Sequence, residues 1–277
     1  MPELPEVETV RAALEPILVG RRLERVTILD ERLTRPLAPA PVARALIGER
    51  GAAVSRRGKY LVVALESGRH LLVHLRMTGS FRCGRNGSLG QDPHRRALVS
   101  LDDGVEVAYR DVRRFGTWAL LEPAELDAYL GPRLGPEPLG RAFTTRALAR
   151  ALEGRRAPVK AALLDQRTVA GVGNIYADEA LWRARIHPRR PSRSLAAAEI
   201  AGLRRGIRAA LAAGIARQGA TLRDYRDPSG EAGRMQDELL VYGRGDQPCR
   251  RCGVPVARAV VAGRGTWFCP ACQPERP

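Results

Sequence analysis

Val7, Val10, Leu14, Ile17 and Leu18 recur at intervals of three or four, so the spacing predicts an amphipathic helix over about 5–18, closed by Gly20. Pro16 falls in its last turn and kinks or tightens it. The period then changes. Short apolar runs at 25–29, 60–65, 70–75, 97–101, 105–109 and 117–121 stand between turn signals, of which Ser67-Gly68 and Asp102-Asp103-Gly104 are hairpin-type. Strands at this spacing suggest an antiparallel sandwich or barrel. Residues 82–96 are polar and glycine-bearing and read as a mobile loop.

At 131–140 the composition shifts to proline and glycine, which marks an interdomain hinge. Beyond it the apolar spacing is helical at about 144–153, 158–166, 174–184 and 195–217. Residues 218–237 are again polar and glycine-rich, hence a loop, and the last forty residues hold four of the five cysteines. No internal repeat is visible.

Charge changes the picture more than composition does. At 277 residues and 44 % hydrophobic content the chain has room for two domains with real cores. Lys and Arg number 46 against 30 Asp and Glu, a net charge of +16. An excess spread along the whole length points to a polyanion, nucleic acid first and an anionic membrane surface second. There is no apolar run of bilayer length and no signal peptide, so the expectation is a cytoplasmic protein with no membrane partner. Its cysteines then read as thiols or metal ligands, not disulfides.

Cys249-x2-Cys252-x16-Cys269-x2-Cys272 is the strongest local signal. Paired cysteines on two turns place four thiolates around a tetrahedral zinc, leaving no coordination position open for catalysis. The site is structural, and Arg264, in the Gly263-Arg264-Gly265 turn between the pairs, reads either as a fingertip offered to a phosphate or a base edge or as a mere surface turn. At the other end, Pro2 carries chemistry once Met1 is removed. Its ring nitrogen is then a secondary amine titrating near ~8, able to attack a sugar aldehyde carbon and form an iminium. Glu3 and Glu6 stand beside it as proton carriers, or simply as acids in a helix's first turn.

Other stretches are weaker singly. Gly171-Val-Gly-Asn174 joins two helices and offers backbone amides, with the Asn174 side chain, to a phosphate. His74-Leu-Arg-Met77 and Arg113-Arg-Phe115-Gly116 follow strands. An exposed methionine, arginine and phenylalanine suit a wedge that fills a duplex where a nucleotide is extruded, though Met77 and Phe115 also read as core residues. Arg56-Arg57-Gly58-Lys59 is a basic turn before a strand.

Together these stretches resemble formamidopyrimidine-DNA glycosylase. PELPEVE at the start, RGKYL around Lys59, HLRMTG, DVRRFG, GVGNIYADE and a four-cysteine finger with a GRGT tip occur in that family's order, from residue 2 to 272. The resemblance implies an α+β multidomain protein: an N-terminal antiparallel β-sandwich with flanking helices, then a C-terminal helical helix-two-turn-helix domain plus zinc finger. It implies residues 1–130 as the catalytic sandwich, 131–143 as hinge, 144–240 as the helix-two-turn-helix domain with a lesion loop at 218–237, and 241–277 as the finger, with DNA in the cleft between domains. The implied activity is a bifunctional DNA glycosylase/AP lyase of base excision repair, excising 8-oxoguanine and formamidopyrimidines by a Schiff base and β,δ-elimination.

Carried over residue by residue, Pro2 is the nucleophile, Glu3 the general acid/base, Glu6 a supporting carboxylate and Lys59 a phosphate contact needed for elimination. His74 belongs to the DNA-binding set. Met77, Arg113 and Phe115 match the void-filling triad, with Arg113 facing the cytosine opposite the lesion. Asn174 and Arg264 match the phosphate clamps, Arg264 also serving catalysis, and Lys160 a further phosphate contact. The resemblance implies one structural zinc ion on Cys249, Cys252, Cys269 and Cys272, no redox or nucleotide cofactor, and a monomer acting on damaged double-stranded DNA at the bacterial nucleoid. One departure stands out: Pro93-His-Arg-Arg96 has Arg96 where many relatives carry a second histidine. The competing readings are an endonuclease VIII-like glycosylase for oxidised pyrimidines and a non-catalytic zinc-finger DNA-binding protein. Leu4, Arg113, Phe115 and the 218–237 loop favour the oxidised-purine branch.

Overall fold

The structure, a computed structural model, describes every residue but Asn86, Arg223, Asp224, Arg276 and Pro277. The loops expected at 82–96 and 218–237 fall partly on these, and that part lies outside the described residues. The chain forms two compact units, one of Met1–Leu130 with Arg217–Arg234, the other of Gly131–Ala216 with Met235–Pro277.

In the first unit, helix α1 (Leu4–Leu18) starts with Pro5 in its first turn, where a missing N–H costs nothing. Its stripe of Val7, Val10, Leu14 and Leu18 is buried. Strand β1 (Leu23–Ile28), helix α2 (Pro39–Leu46), β2 (Gly51–Arg57), β3 (Tyr60–Leu65) and β4 (His70–His74) follow. Next come β5 (Gly79–Arg85), β6 (Arg95–Leu101), β7 (Val105–Asp111), β8 (Thr117–Leu121) and helix α3 (Glu125–Leu130).

Two four-stranded antiparallel sheets result, in the orders β1-β6-β7-β5 and β2-β3-β4-β8. Both feed one core: Val26, Phe81, Val99, Val107 and Tyr109 from the first sheet, Val54, Leu61, Val63, Leu71, Val73 and Trp118 from the second. The Tyr109 ring lies 5.2 Å from Phe81 and 5.5 Å from Trp118, centroid to centroid. Strand β2 lies close under α1, for a Cβ at Gly51 would collide with the Leu18 carbonyl.

Strands β2 and β5 and helices α2 and α3 go beyond the elements expected from sequence, and β5 and β6 shorten the loop expected at 82–96. Strand β5 ends its sheet, and its outer edge receives the returning segment Arg217–Arg234. There the Cys83 N–H donates to the Pro228 carbonyl (3.1 Å) and Arg82 Nη1 to that of Asp227 (2.7 Å). The Arg234 N–H donates to the Arg217 carbonyl (2.8 Å), closing the neck of the segment.

The second unit is helical up to the finger. Helix α4 (Thr145–Leu152) is capped by Thr144, whose hydroxyl accepts from the Ala147 N–H (3.0 Å). Helices α5 (Val159–Leu164), α6 (Asn174–Ala184) and α7 (Ala197–Ala216) follow. Small residues let α6 and α7 approach closely: a Cβ on Gly206 would sit 2.6 Å from the Ala180 carbonyl, and one on Gly214 2.5 Å from the Tyr176 ring. Strands β9 (Ala257–Val261) and β10 (Arg264–Phe268) pair antiparallel across a two-residue turn, Ala262-Gly263, with φ of 49° and 72°. Two successive positive φ values define the turn type that matches strand twist. The fold is thus α+β, with antiparallel sheets, a helical domain and a finger. No helix among the described residues is long and apolar enough to cross a membrane.

Candidate nucleic-acid interface and metal centre

Pro2, Glu3 and Glu6 are all buried at the start of α1. The Glu6 carboxylate holds two things at once: Oε2 accepts from the Glu3 N–H (2.8 Å) and Oε1 from the Ala220 N–H (2.8 Å). The Tyr225 hydroxyl donates to the Glu6 carbonyl (3.2 Å), and Gly219, at φ 82°, has no room for a Cβ beside the Glu6 side chain. A carboxylate that accepts backbone N–H groups on both sides fixes a helix start and a loop to each other. Ala220 and Tyr225 were missed from sequence, since their role appears only when the loop returns.

Lys59, 5 % exposed, sits after Gly58 in the β2–β3 turn, and Arg56 Nε binds Glu8 Oε2 of α1 at 2.9 Å. Across the β3–β4 pairing, His74 stands opposite Tyr60, their rings edge to face at 4.6 Å. Burial, with the nearby Arg76 and Lys59 cations, pushes the His74 imidazole down to about 3. The ring is therefore neutral at working pH, and its Nδ1 accepts from the Arg76 N–H (2.9 Å). That leaves Nε2 as the donor.

Met77 is half-buried, while Arg113 and Phe115 are exposed, Phe115 by 51 %, with the Arg113 guanidinium 4.8 Å from the Phe115 ring centre. The two tips are knitted together: Thr78 Oγ1 donates to Asp111 Oδ1 (2.5 Å) and accepts from the Arg113 N–H (3.0 Å). An aromatic residue held half out of a sheet end by polar bonds beside it is an unusual use of apolar surface. Cys83, left unassigned by the sequence, is half-buried, and burial pushes its thiol up to about 12, so it is inert as a nucleophile.

In the second unit the four finger cysteines bring their Sγ atoms within 4.8 Å of one another. A tetrahedral zinc with Zn–S of about 2.3 Å asks for sulfurs roughly 3.8 Å apart, so the donor set fits. Trp182 Nε1 donates to Cys249 Sγ (3.3 Å), and the Cys272 N–H to Cys269 Sγ (3.4 Å), bonds that suit thiolates. Gln273, fully buried, ties the finger down, donating to the Ile186 carbonyl (2.8 Å) and accepting from the Cys269 N–H (2.9 Å). The protein accordingly carries one structural zinc on Cys249, Cys252, Cys269 and Cys272.

Arg264 is exposed as the first residue of β10, just beyond the turn instead of within it. Asn174 is the first residue of α6 after the cap Gly173, and its Nδ2 donates to the Gly265 carbonyl (3.0 Å), so the structure brings Asn174 and the Arg264 tip together. Lys160 departs from the expected phosphate contact. Its ammonium is fully buried, 2.7 Å from Asp178 Oδ1, 2.9 Å from the Gly265 carbonyl and 2.8 Å from Thr266 Oγ1. It is a strut under the hairpin. Burial pushes the Asp178 carboxyl up, against the pull of Lys160. Its neighbour Glu179 accepts from the N–H groups of Leu240, Val241 and Tyr242. Both acids were missed as supports, although two consecutive acids on a helix whose central residues are buried were the available signal.

Fold and sites together define a strongly basic α+β protein with an antiparallel sandwich, a helical domain and a zinc finger. Residues 1–118 match the family model described as formamidopyrimidine-DNA glycosylase N-terminal domain, 134–226 its H2TH domain and 246–274 the zinc finger found in FPG and IleRS. The chain is 48 % identical to formamidopyrimidine-DNA glycosylase of Thermus thermophilus, covering all of both, and 46 % identical to that of Roseiflexus sp. over 99 % of this chain and all of the relative. Among solved structures it resembles the MutM (Fpg) protein of Thermus thermophilus, with TM-score 0.88, 46 % identity and full coverage of both chains. It also resembles a mutant of the Lactococcus lactis protein bound to Fapy-dG-containing DNA, with TM-score 0.93, 36 % identity, 99 % of this chain and all of that one covered. The chain belongs to the formamidopyrimidine-DNA glycosylase family of DNA glycosylase/AP lyases.

Proposed function

We propose that the protein excises oxidised purines from duplex DNA as part of base excision repair, through an N-terminal proline nucleophile. The observation that carries this reading is the buried constellation of Pro2, Glu3 and Glu6 at the start of α1, with the returning loop fastened to it. Removal of Met1 frees the Pro2 nitrogen as a secondary amine. It attacks C1′ of the flipped nucleotide, the C1′–N bond to the base breaks, and the base leaves with a proton. Sugar-ring opening gives an iminium, whose electron-withdrawing pull acidifies C2′–H. Loss of that proton expels the 3′ phosphate, and a second elimination expels the 5′ phosphate. Glu3 moves the protons, while Glu6 holds the Glu3 backbone and the loop.

Lys59 and the neutral His74 donor take phosphates on the first unit, Asn174 and the exposed Arg264 on the second, with Arg264 also serving catalysis. Met77, Arg113 and Phe115 fill the space left by the nucleotide, Arg113 reading the base opposite. Zinc supplies the shape of the finger and no bond-making step. The division into a catalytic sandwich, a hinge at 131–143, a helix-two-turn-helix domain and a finger, action as a monomer and location at the nucleoid belong to the same proposal. The Arg113 and Phe115 tip favours this reading over the endonuclease VIII-like one.

The test is borohydride reduction during turnover on a duplex with 8-oxoguanine opposite cytosine. A covalent adduct is expected, and peptide mapping should place it on residue 2. Attachment at Lys59 overturns the assignment.

A further inference from the structure

The Arg113–Phe115 tip is held from beneath by groups that the proposed chemistry does not use. Asp30, just past β1, is 3 % exposed. Its carboxylate receives Arg114 through two parallel bonds, Nε to Oδ2 at 2.6 Å and Nη2 to Oδ1 at 2.8 Å. Such a two-pronged ionic pair fixes orientation as well as distance. Arg114 has a φ of 59°, a left-handed backbone that a residue with a side chain seldom adopts. Val112, Arg113, Arg114 and Phe115 are all exposed, and the ion pair reaches from there to the buried Asp30.

A second cation joins from β6. Arg96 Nε lies 3.8 Å from Asp30 Oδ2 and donates to the Asp111 carbonyl (3.0 Å). Asp111 in turn clasps both ends of the loop, Oδ1 accepting from the Arg113 N–H (3.2 Å) and Oδ2 from the Gly116 N–H (2.7 Å). The Arg114 guanidinium, and Arg96 behind it, hold the Asp30 carboxyl below the usual carboxylate range, so the anchor stays charged. The position where the family resemblance leads one to expect a histidine is thus part of this anchor.

Resting on the reading of Arg113 given above, we propose that Asp30 is a positioning residue for opposite-base recognition. Acting through Arg114 and Arg96, it sets where Arg113 meets the orphaned base and so how strongly cytosine is preferred to adenine. A long flexible arginine discriminates between bases only if its backbone is fixed, because a hydrogen-bond donor displaced from its acceptors loses the directional bond that tells one base edge from another.

The experiment compares single-turnover excision of 8-oxoguanine opposite cytosine and opposite adenine, with incision of a pre-formed abasic site as the internal reference. The unaltered protein should prefer cytosine roughly ten- to a hundredfold, the value of one well-placed charged donor pair. Asp30→Asn and Arg114→Gln should each cut that preference about fivefold or more, through the cytosine arm, while abasic incision stays within about twofold. In an Arg113→Ala background, which has already lost the preference, Asp30→Asn should remove nothing more. If Arg113→Ala loses the preference but Asp30→Asn and Arg114→Gln keep it, the anchor is overturned and the function stands. Equal slowing of all three reactions also overturns the anchor, as a merely structural role. If Arg113→Ala keeps the preference, the underlying reading of Arg113 fails instead. Should Asp30→Asn not fold, Arg114→Gln at the surface carries the test.

Discussion

Burial keeps the His74 imidazole neutral down to about 3, against about 6.5 in an unfolded chain. A folded pKa depressed in this way means that the unfolded chain binds a proton the folded one refuses. The stability it contributes is therefore complete above about pH 6.5 and is lost as pH falls toward 3, with a slope of up to about 1.4 kcal/mol per pH unit. Asp30 and Asp165, both held below the usual carboxylate range by arginines, act in the same direction but at lower pH. Urea unfolding of the unaltered protein and of His74→Gln at pH 7, 5 and 4 separates them. The difference in stability between the two should shrink as pH drops, and parallel pH curves would refute a neutral buried His74. The same neutrality suits a phosphate contact, because a neutral Nε2 donor binds an oxygen without adding salt-sensitive charge.

The contact between α6 and α7 depends on residues without side chains. Gly214→Ala puts a Cβ 2.5 Å from the Tyr176 ring, whereas Gly202→Ala, on the same helix, meets only the Arg205 guanidinium at 3.9 Å. Overpacking costs about 1–3 kcal/mol, and replacing a mid-helix glycine by alanine gains up to about 1 kcal/mol. Thermal unfolding should then show Gly202→Ala level with or above the unaltered protein and Gly214→Ala below it by about 2–6 °C. A higher midpoint for Gly214→Ala would contradict the close approach. Elements of this kind were legible where period and composition agreed: 60–65 and 174–184 are a strand and a helix at those very bounds. Strands β2 and β5 were not, since GAAVSRR and GSFRCGR are rich in glycine and arginine and hold a single β-branched residue, Val54. They are strands because β3 and β7 supply their hydrogen-bond partners. The sites divide in the same way. Two pairs of cysteines carry their ligand geometry in their spacing, but the burial of Lys160 depends on Asp178 and Thr266, the latter 106 residues away. The pair Asp30–Arg114 spans 84 residues and leaves no local trace.

For the molecule as a whole, a net charge of +16 supplies non-specific attraction to a polyanion, and the finger gives part of it a fixed shape. One zinc per chain is expected by elemental analysis, and Cys269→Ser should weaken DNA binding more than it slows chemistry on DNA already bound. Full affinity in metal-free protein would contradict that, since four thiolates without their ion have no reason to stay together. The first unit, finally, is assembled from two stretches of chain, and the Glu6 to Ala220 bond joins residues 214 apart. A ribosome adding roughly 5–20 residues per second needs on the order of 10–45 s to cover that interval. Over roughly the second half of that interval, once β8 is complete at Leu121, the nascent sandwich has its N-terminal helix and strands β1 to β8, yet lacks the segment that caps β5 and seats Glu6. Newborn chains therefore pass through a stage in which an uncapped strand edge faces the crowded cytosol, open to chaperones and to the same edge on a neighbouring polysome.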